Sequence, residues 1–318
     1  MRNLLFIGLF AIAFSFGLFS CGMNDILPRD DFSEATMMEA LKEALILGSK
    51  TAASNLGDSS CDADLIALEE CTKGYLGNKL VEIILPDTVA NVLSKISSFS
   101  NNIKKLSPGA NSIIKASMGE EKYNSIFGLD EYAKDIKNAL NRGAEKAAPE
   151  SKKVFADAIF GMSFSDTKEI LFGDSIAATS YLEATTYEGL KSAFAPIIKE
   201  PLDLLKPNKY WEPLASNYNS FANAYSNLSN NINSNALLKN ALGNSALPSL
   251  PYSELPKDIS SVLSEYATGK ALDGLFLMVG KQEAKLRADP WGTVYAVGEF
   301  ITDAVGDLLG KVFSSAKE

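Results

Sequence analysis

Histidine is absent from this chain of 318 residues. Its absence excludes Ser-His-Asp and Cys-His nucleophile systems, histidine-ligated zinc and the most common general base. The three cysteines are too few for a disulfide scaffold or a four-thiolate metal site. Positive charge is in the minority, with 30 Lys and Arg against 39 Asp and Glu, and this balance argues against nucleic acid as a partner. Phosphate-loop, dinucleotide-binding and nucleophile-elbow motifs are also missing, so the sequence predicts no cofactor and no metal.

The first twenty residues predict a secretory signal peptide. A short positive start, Met1–Asn3, precedes an almost wholly apolar run of sixteen residues from Leu4 to Phe19. As a helix this run would span about 24 Å, which is short of a hydrocarbon core of roughly 30 Å. A cleavable signal over residues 1–20 therefore fits better than a membrane span.

The end of the apolar run resembles the bacterial lipoprotein box. Leu18 stands three residues before Cys21, and the small residue Ser20 precedes the cysteine directly. The resemblance implies cleavage before Cys21 and attachment of diacylglycerol to its sulfur, although Phe19 is bulkier than the usual residue at its position. An ordinary signal peptide that happens to contain a cysteine is the alternative.

Lipidation at Cys21 would make a membrane the first partner of the chain. Residues 21–32 would then form a tether, and several acyl chains would make the attachment durable. Gly22, in place of an aspartate after the cysteine, resembles signals that lead to the outer membrane. We therefore expect a lipid-anchored protein of the bacterial cell envelope, at its outer membrane.

The other two cysteines, Cys61 and Cys71, are separated by nine residues. In an oxidising compartment they could form a local disulfide worth roughly 3 kcal/mol in the loop-entropy model. Two buried free thiols are the alternative.

The remaining sequence predicts an all-α, multi-helix bundle formed by a single domain over residues 33–318. Only Leu80–Leu85 resembles a strand, and Pro86 ends it. Residues 97–128 suggest two weak helical pieces, and residues 245–257 form a proline-rich connector. Helices are expected near 33–57, 87–96, 129–148, 151–159, 164–172, 186–195, 217–244, 258–266, 269–288 and 294–312.

Local patterns set several of these boundaries. Ser163 with Asp166, and Thr185 with Glu188, each match a capping box that starts a helix. Residues 217–244 are rich in Asn and Ser, but large apolar side chains recur there at steps of three and four, which predicts a helix. Prolines at 196, 201 and 207 suggest a broken, extended stretch between the helices expected near 186–195 and 217–244.

Several polar residues are candidates for a ligand site. Arg142 and Glu145 could face a ligand or form an intrahelical ion pair. Asp166 and Glu169 could share a proton or hold calcium, but capping already explains Asp166. Asp273 is an acid within an apolar helix, and it could be solvent-facing, paired or functional.

Three further polar residues and two basic ones complete the candidate set. The three polar residues could line a polar pocket, but helix capping and packing would explain them equally well. The hydroxyl residues are Thr179, Tyr181 and Thr185, and the basic residues that could pair with Asp273 are Lys270 and Arg287.

An ordered series of short blocks resembles a bacterial family known as domain of unknown function 4197, whose members are exported and often lipoproteins. The blocks are residues 140–147, 159–166 with 170–171, 177–182 with 185, 266–268 with 271–276, and 287–290, and residues 39–45 and 84–86 fit the opening of the family. The likeness covers about residues 35–292. The segment around Cys61 and Cys71 and residues 97–128 look like insertions, and residues 280–283 are less acidic than the pattern suggests. The resemblance implies an all-helical exported domain and no activity.

Two functions fit the sequence. The first is a lipid-anchored helical domain that binds an envelope protein or a small apolar ligand. The second is a histidine-independent hydrolase that uses carboxylates, with Asp166, Glu169 or Asp273 as candidates. The missing catalytic set favours the binding domain over an enzyme.

Overall fold

The computed structural model describes residues 34–60, 72–127, 129–204, 211–234, 240 and 247–289. Within these ranges the chain is all-α and contains no β-strand, which confirms the fold class expected from the sequence. Several expectations fall outside the described residues: the signal peptide, the tether with Cys21, the Cys61–Cys71 pair, the start of the connector and the final helix near 294–312.

Most of the helices follow one another closely, but long segments separate α1 from α2 and α9 from α10. In chain order they are α1 (Glu34–Leu56), α2 (Asp87–Lys104), α3 (Pro108–Met118), α4 (Glu120–Asn124), α5 (Leu129–Ala147), a 3-10 turn (Ala148–Glu150), α6 (Ser151–Phe160), α7 (Phe164–Leu171), α8 (Ala177–Leu204), α9 (Trp211–Ser234) and α10 (Ser260–Ala288). Pro149 lies in the 3-10 turn, where it separates α5 from α6 as expected.

Helix α8 lies at the centre of the packing, against α5, α6, α7 and α10. Helix α1 packs on α6, α7 and α10, and α9 packs on α3, α4 and α5. The core between them is made of aliphatic and aromatic side chains, including the fully buried Phe155, Phe194 and Phe221. The Phe155 ring meets the Phe276 ring edge to face at 5.9 Å, which joins α6 to α10.

The strand-like run near 80–85 is an irregular segment that pairs with a side chain instead of a strand. Asn141 of α5 accepts a hydrogen bond from the Ile83 N–H at 2.8 Å and donates one to the Ile83 carbonyl at 2.8 Å. It also donates to the Lys137 carbonyl at 2.8 Å. The amide thus satisfies both backbone groups of a buried residue, as a neighbouring strand would.

The apolar spacing predicted in the Asn- and Ser-rich region is confirmed over α9. Its apolar face, Tyr218, Phe221, Tyr225, Leu228 and Ile232, is buried throughout. The polar side chains of the same helix bind the connector, because Asn219 exchanges hydrogen bonds with the backbone N–H and carbonyl of Leu255 at 2.7 and 2.9 Å.

The helix start expected at Thr185 and the broken stretch expected from Pro196 are wrong as far as Leu204, because α8 is continuous through both. The rest of that stretch, with Pro207, lies outside the described residues. Phe194 and Ile198 of this helix are fully buried. Helix α5 also packs closely against it, because a Cβ added to Gly143 would lie only 3.3 Å from the Ile198 Cα. Packing therefore outweighs the local signals for a break. Proline costs roughly 3 kcal/mol inside a helix, which packing of such side chains can offset.

Helix α10 also runs unbroken where two helices were expected. Thr268, expected as an N-cap, lies in its interior, and its hydroxyl donates to the Ser264 carbonyl one turn earlier at 2.8 Å. Buried residues continue along both halves of the helix, so no loop is needed between them.

Candidate functional site

The polar residues singled out in the sequence lie in four separate places. They are the Arg142–Glu145 pair on α5, Asp166 with Tyr181 between α7 and α8, Thr179 and Arg287 around Glu283, and Asp273 beside Lys270 on α10. We call the first the Glu145 cluster and the third the Glu283 cluster. The hydrogen bonds of each group go mostly to backbone groups or to its own neighbours.

The Glu145 cluster holds an irregular segment of chain against α5. Glu145 is buried, and its Oε1 accepts the backbone N–H groups of Tyr75 and Leu76, each at 3.0 Å. Its Oε2 accepts a hydrogen bond from Arg142 Nη1 at 2.7 Å, and the same nitrogen donates to the Ser59 carbonyl at 3.0 Å. The intrahelical ion pair is therefore present, and it also binds two segments distant in sequence.

The chain approaches Glu145 so closely that only glycine fits beside it. Gly74 has a φ of +67°, and a Cβ there would lie 2.6 Å from Glu145 Oε1 and 2.8 Å from the Asp58 carbonyl oxygen. The next residue, Tyr75, is buried and donates its hydroxyl to the Ala271 carbonyl at 2.6 Å. Burial, together with the charge of Glu145, raises the pKa of Tyr75 above its usual value.

The Glu283 cluster lies where α10 crosses the first turn of α8. Glu283 is buried, and its two carboxylate oxygens accept the backbone N–H groups of Ala178 at 3.0 Å and Thr179 at 2.8 Å. The Thr179 hydroxyl donates to the same carboxylate at 2.8 Å. A carboxylate at this position satisfies N–H groups that have no partner within the helix and complements the helix dipole.

Arg287 completes this cluster from the next turn of α10. Its Nε and Nη2 donate to Glu283 Oε1 at 3.0 and 2.8 Å, and Nη2 also donates to the Ile170 carbonyl at 2.8 Å. Ile170 lies in the last turn of α7, so the guanidinium adds a charged donor to a carbonyl at a helix C-terminus. Arg287 thus pairs with Glu283, and not with Asp273 as the sequence had suggested. Asp273 pairs with Lys270, the other basic residue considered for it.

Asp166 forms the predicted capping box at the start of α7. Its Oδ2 accepts the Ser163 N–H and hydroxyl, each at 2.8 Å, while the Asp166 N–H donates to the Ser163 hydroxyl at 3.2 Å. These bonds from Ser163 hold the pKa of Asp166 below its usual value. The Tyr181 hydroxyl reaches the same oxygen at 3.4 Å, and burial followed by the Asp166 charge raises the pKa of Tyr181. Glu169 is exposed.

Asp273 lies on the exposed side of α10. Its carboxylate pairs with Lys270 Nζ at 2.9 Å, one turn earlier, and both side chains are at least half exposed. Hydrogen bonding to this carboxylate raises the pKa of Lys270. Thr185 is exposed as well, with its hydroxyl bonded to the Tyr181 carbonyl at 2.8 Å.

Glu283 was not among the residues singled out in the sequence, although it organises one cluster. Its signal was present: an acid between apolar positions of a helix, followed four residues later by an arginine. That spacing places the two side chains on one helix face. What the sequence did not show is that α8, 105 residues away, begins against this face.

Among the described residues no group of three or more Cys, Asp and Glu is arranged to hold a metal ion. The described helices also include none that is both long and apolar enough to cross a membrane.

The chain matches a protein-family model over residues 115–299 of its 318 residues. The matched range contains the Glu145 and Glu283 carboxylates and all the blocks from residue 140 onward, whereas residues 39–45 and 84–86 precede it. No curated protein and no solved structure matches the chain. The match covers more than half of the sequence, and the chain therefore belongs to the family described as proteins of unknown function, DUF4197.

Proposed function

We propose that this protein is a lipid-anchored helical domain of the bacterial cell envelope that binds a partner protein or a small apolar ligand. The observation that carries the proposal is the sequence around Cys21, where a leucine and a small residue precede a cysteine directly after an apolar run. Acyl chains at that position would hold the domain on a membrane, because each buried methylene contributes about 0.8 kcal/mol.

The helical domain supports a binding role through the way it uses its charges. The buried carboxylates of Glu145 and Glu283 accept backbone N–H groups, and their arginine partners donate to backbone carbonyls. Of the three acids that a carboxylate hydrolase would need, Asp166 caps α7, Asp273 pairs with Lys270, and Glu169 is exposed. These polar groups fix the positions of helices, which leaves the helix surfaces to interact with a partner.

Acylation is tested by mass spectrometry of the mature chain expressed in a bacterial envelope. We expect an N-terminal peptide that begins at Cys21 and carries the mass of diacylglycerol, and a protein that floats with membranes after extraction with salt. Cys21→Ser is the variant that removes the acylated atom, and Ser20→Ala is the control that keeps a small residue before the cysteine. A mature chain without the lipid mass would overturn the anchor.

Binding is tested by gentle extraction of the acylated protein from its own envelope, followed by native mass spectrometry. We expect a bound envelope protein or apolar molecule in stoichiometric amount. The control for adventitious lipid is the purified chain after unfolding and refolding, which is analysed by the same native mass spectrometry. Recovery of the bare chain alone would contradict the binding role and leave the anchor standing.

A further inference from the structure

Exposed large apolar side chains are unevenly distributed along the described part of the chain. Eight large hydrophobic residues are exposed there, and four of them fall within the seventeen residues from 160 to 176. These four are Phe160, Phe164, Phe172 and Ile176. Phe164 is the first residue of α7 and the other three lie within five residues of its ends, so we call the four the α7 ridge. Large apolar side chains that cluster on a surface mark a site of interaction.

The two most exposed members of the ridge have the same local setting. Phe160 and Phe172 directly follow the buried residues Ile159 and Leu171, and a glycine comes after each of them. Phe160 ends α6 and is 67% exposed, and Phe172 follows the last residue of α7 and is 62% exposed. The buried neighbour fixes each helix end in the core, so each ring is held outward from a rigid element.

The ridge is attached to the first half of α1. Lys42 Nζ donates to the Phe160 carbonyl at 3.0 Å and to the Met162 carbonyl at 2.9 Å. Lys42 lies eight residues, or about 12 Å of helix, after the first residue of α1. Twelve residues separate Cys21 from Glu34, and a chain of that length reaches at most about 45 Å. The tether therefore keeps the domain close to the bilayer that holds Cys21, and this bilayer is the apolar phase that the ridge would meet most often.

The charges around the ridge favour the lipid acyl and headgroup boundary over an anionic surface. Within residues 160–176 the exposed acids are Glu169 and Asp174 and the exposed base is Lys168. The exposed Lys153–Asp157 pair on α6 precedes Phe160 and adds no net charge, and the whole chain carries a net charge of −9. An anionic surface would repel such a domain, so the attraction has to come from the aromatic and aliphatic side chains.

We infer that the α7 ridge inserts into the surface of the membrane to which Cys21 is anchored, and that it orients the domain on that membrane. The inference rests on the proposed lipid anchor. It assigns to Phe160 and Phe172 the role of shallow membrane contacts, at the depth of the headgroup and acyl-chain boundary.

The test places a tryptophan on the ridge of the mature acylated chain. Phe160→Trp and Phe172→Trp are reconstituted separately in phosphatidylcholine vesicles with or without bromine atoms on the acyl chains. We expect a blue-shifted emission that brominated lipid quenches. Leu80→Trp is the matched control, because Leu80 is also exposed, at 55%, and lies outside the ridge. The wild-type chain supplies the background from Trp211 and Trp291.

A second measurement needs no variant. The acylated wild-type chain is irradiated in vesicles of a phosphatidylcholine with a photoactivatable acyl chain, and the labelled peptides are mapped. We expect label within residues 160–176 and none at 80–84.

The outcomes separate the inference from the anchor. Equal quenching at all three positions, or label that avoids residues 160–176, would overturn the ridge while an acylated N-terminus keeps the anchor. A ridge that cross-links to a second copy or to another protein and stays unlabelled by lipid would overturn it too. A chain without acyl groups at Cys21 would contradict both the anchor and the membrane contact of the ridge.

Discussion

Glu283 and Arg287, one turn apart on α10, bind the facing ends of two other helices. The carboxylate accepts the first N–H groups of α8, and the guanidinium donates to a carbonyl in the last turn of α7, while the two side chains pair with each other at 2.8 Å. Anionic groups stabilise helix N-termini and cationic groups stabilise helix C-termini. One ion pair thus links the end of α7 to the start of α8.

Removal of this carboxylate is expected to be strongly destabilising. Glu283→Ala would remove the carboxylate that binds the largely buried Arg287, whose side chain is only 13% exposed, and would take away the carboxylate acceptor of the Ala178 and Thr179 N–H groups. We expect the free energy of unfolding to fall by about 3–5 kcal/mol, measured by urea denaturation. Asp273→Ala removes a carboxylate from the same helix at an exposed pair and should cost less than about 0.5 kcal/mol. Equal losses from the two variants would contradict this assignment.

The sequence predicted the elements whose signals are local. The face of α9 followed from the spacing of Tyr218 and Phe221, and the start of α7 followed from Ser163 and Asp166, because these signals act within one or two helical turns. Local signals failed where packing decided the outcome. The Thr185–Glu188 pattern has the same form as the capping box of α7, yet it lies inside α8.

The candidate site was harder to predict than the fold. Arg142 and Glu145 were singled out as a possible ion pair and Arg287 as a possible partner of Asp273, but each of the three also binds backbone groups that lie far away in sequence. Side-chain types show which residues can form such bonds. They do not show which helix end or loop lies opposite, because that depends on how the helices pack.

Gly74 gives a test of the Glu145 cluster. Gly74→Ala would force a side chain into a positive φ of +67° and to within 2.6 Å of Glu145 Oε1. Gly119→Ala is the matched control, since Gly119 also has a positive φ, of +87°, but no atom lies within 4 Å of the added carbon. The control should lose about 1–3 kcal/mol of stability from the backbone alone, and Gly74→Ala should lose more than that. Thermal unfolding of both variants measures the difference, and a Gly74→Ala protein at least as stable as the control would count against the close approach.

Asn141 gives a test of the pairing that replaces a strand. Asn141→Ala removes the partner of both the N–H and the carbonyl of Ile83, which are buried. We expect a loss of about 2–4 kcal/mol, because each unsatisfied group costs about 1–3 kcal/mol. Asn138, three residues earlier on α5, has a buried Oδ1 without a hydrogen-bond partner, so Asn138→Ala should cost much less. Hydrogen exchange at the Ile83 amide should accelerate in the first variant only, and an unchanged rate there would exclude the proposed pairing.

Stability at alkaline pH depends on the contact between α9 and the connector. The Tyr218 hydroxyl donates to the Tyr252 carbonyl at 2.6 Å and accepts the Tyr252 N–H at 3.1 Å. Burial raises the pKa of Tyr218 to about 12, whereas an unfolded tyrosine titrates near about 10. Because the folded pKa is the higher one, the unfolded state loses its proton first as the pH rises. The stabilisation from this tyrosine is therefore complete below about pH 10 and is lost between about pH 10 and the folded pKa.

The corresponding variant separates this titration from the rest of the protein. Tyr218→Phe should lose about 1–2 kcal/mol at neutral pH, since both hydrogen bonds to Tyr252 disappear. Between about pH 10 and 12 its stability should then fall less steeply than that of the wild type, by about 2 kcal/mol over the interval. Urea denaturation at a series of alkaline pH values provides the measurement. Parallel curves for the wild type and Tyr218→Phe would show that the Tyr218 hydroxyl titrates alike in the folded and unfolded states, and would contradict its burial against the connector.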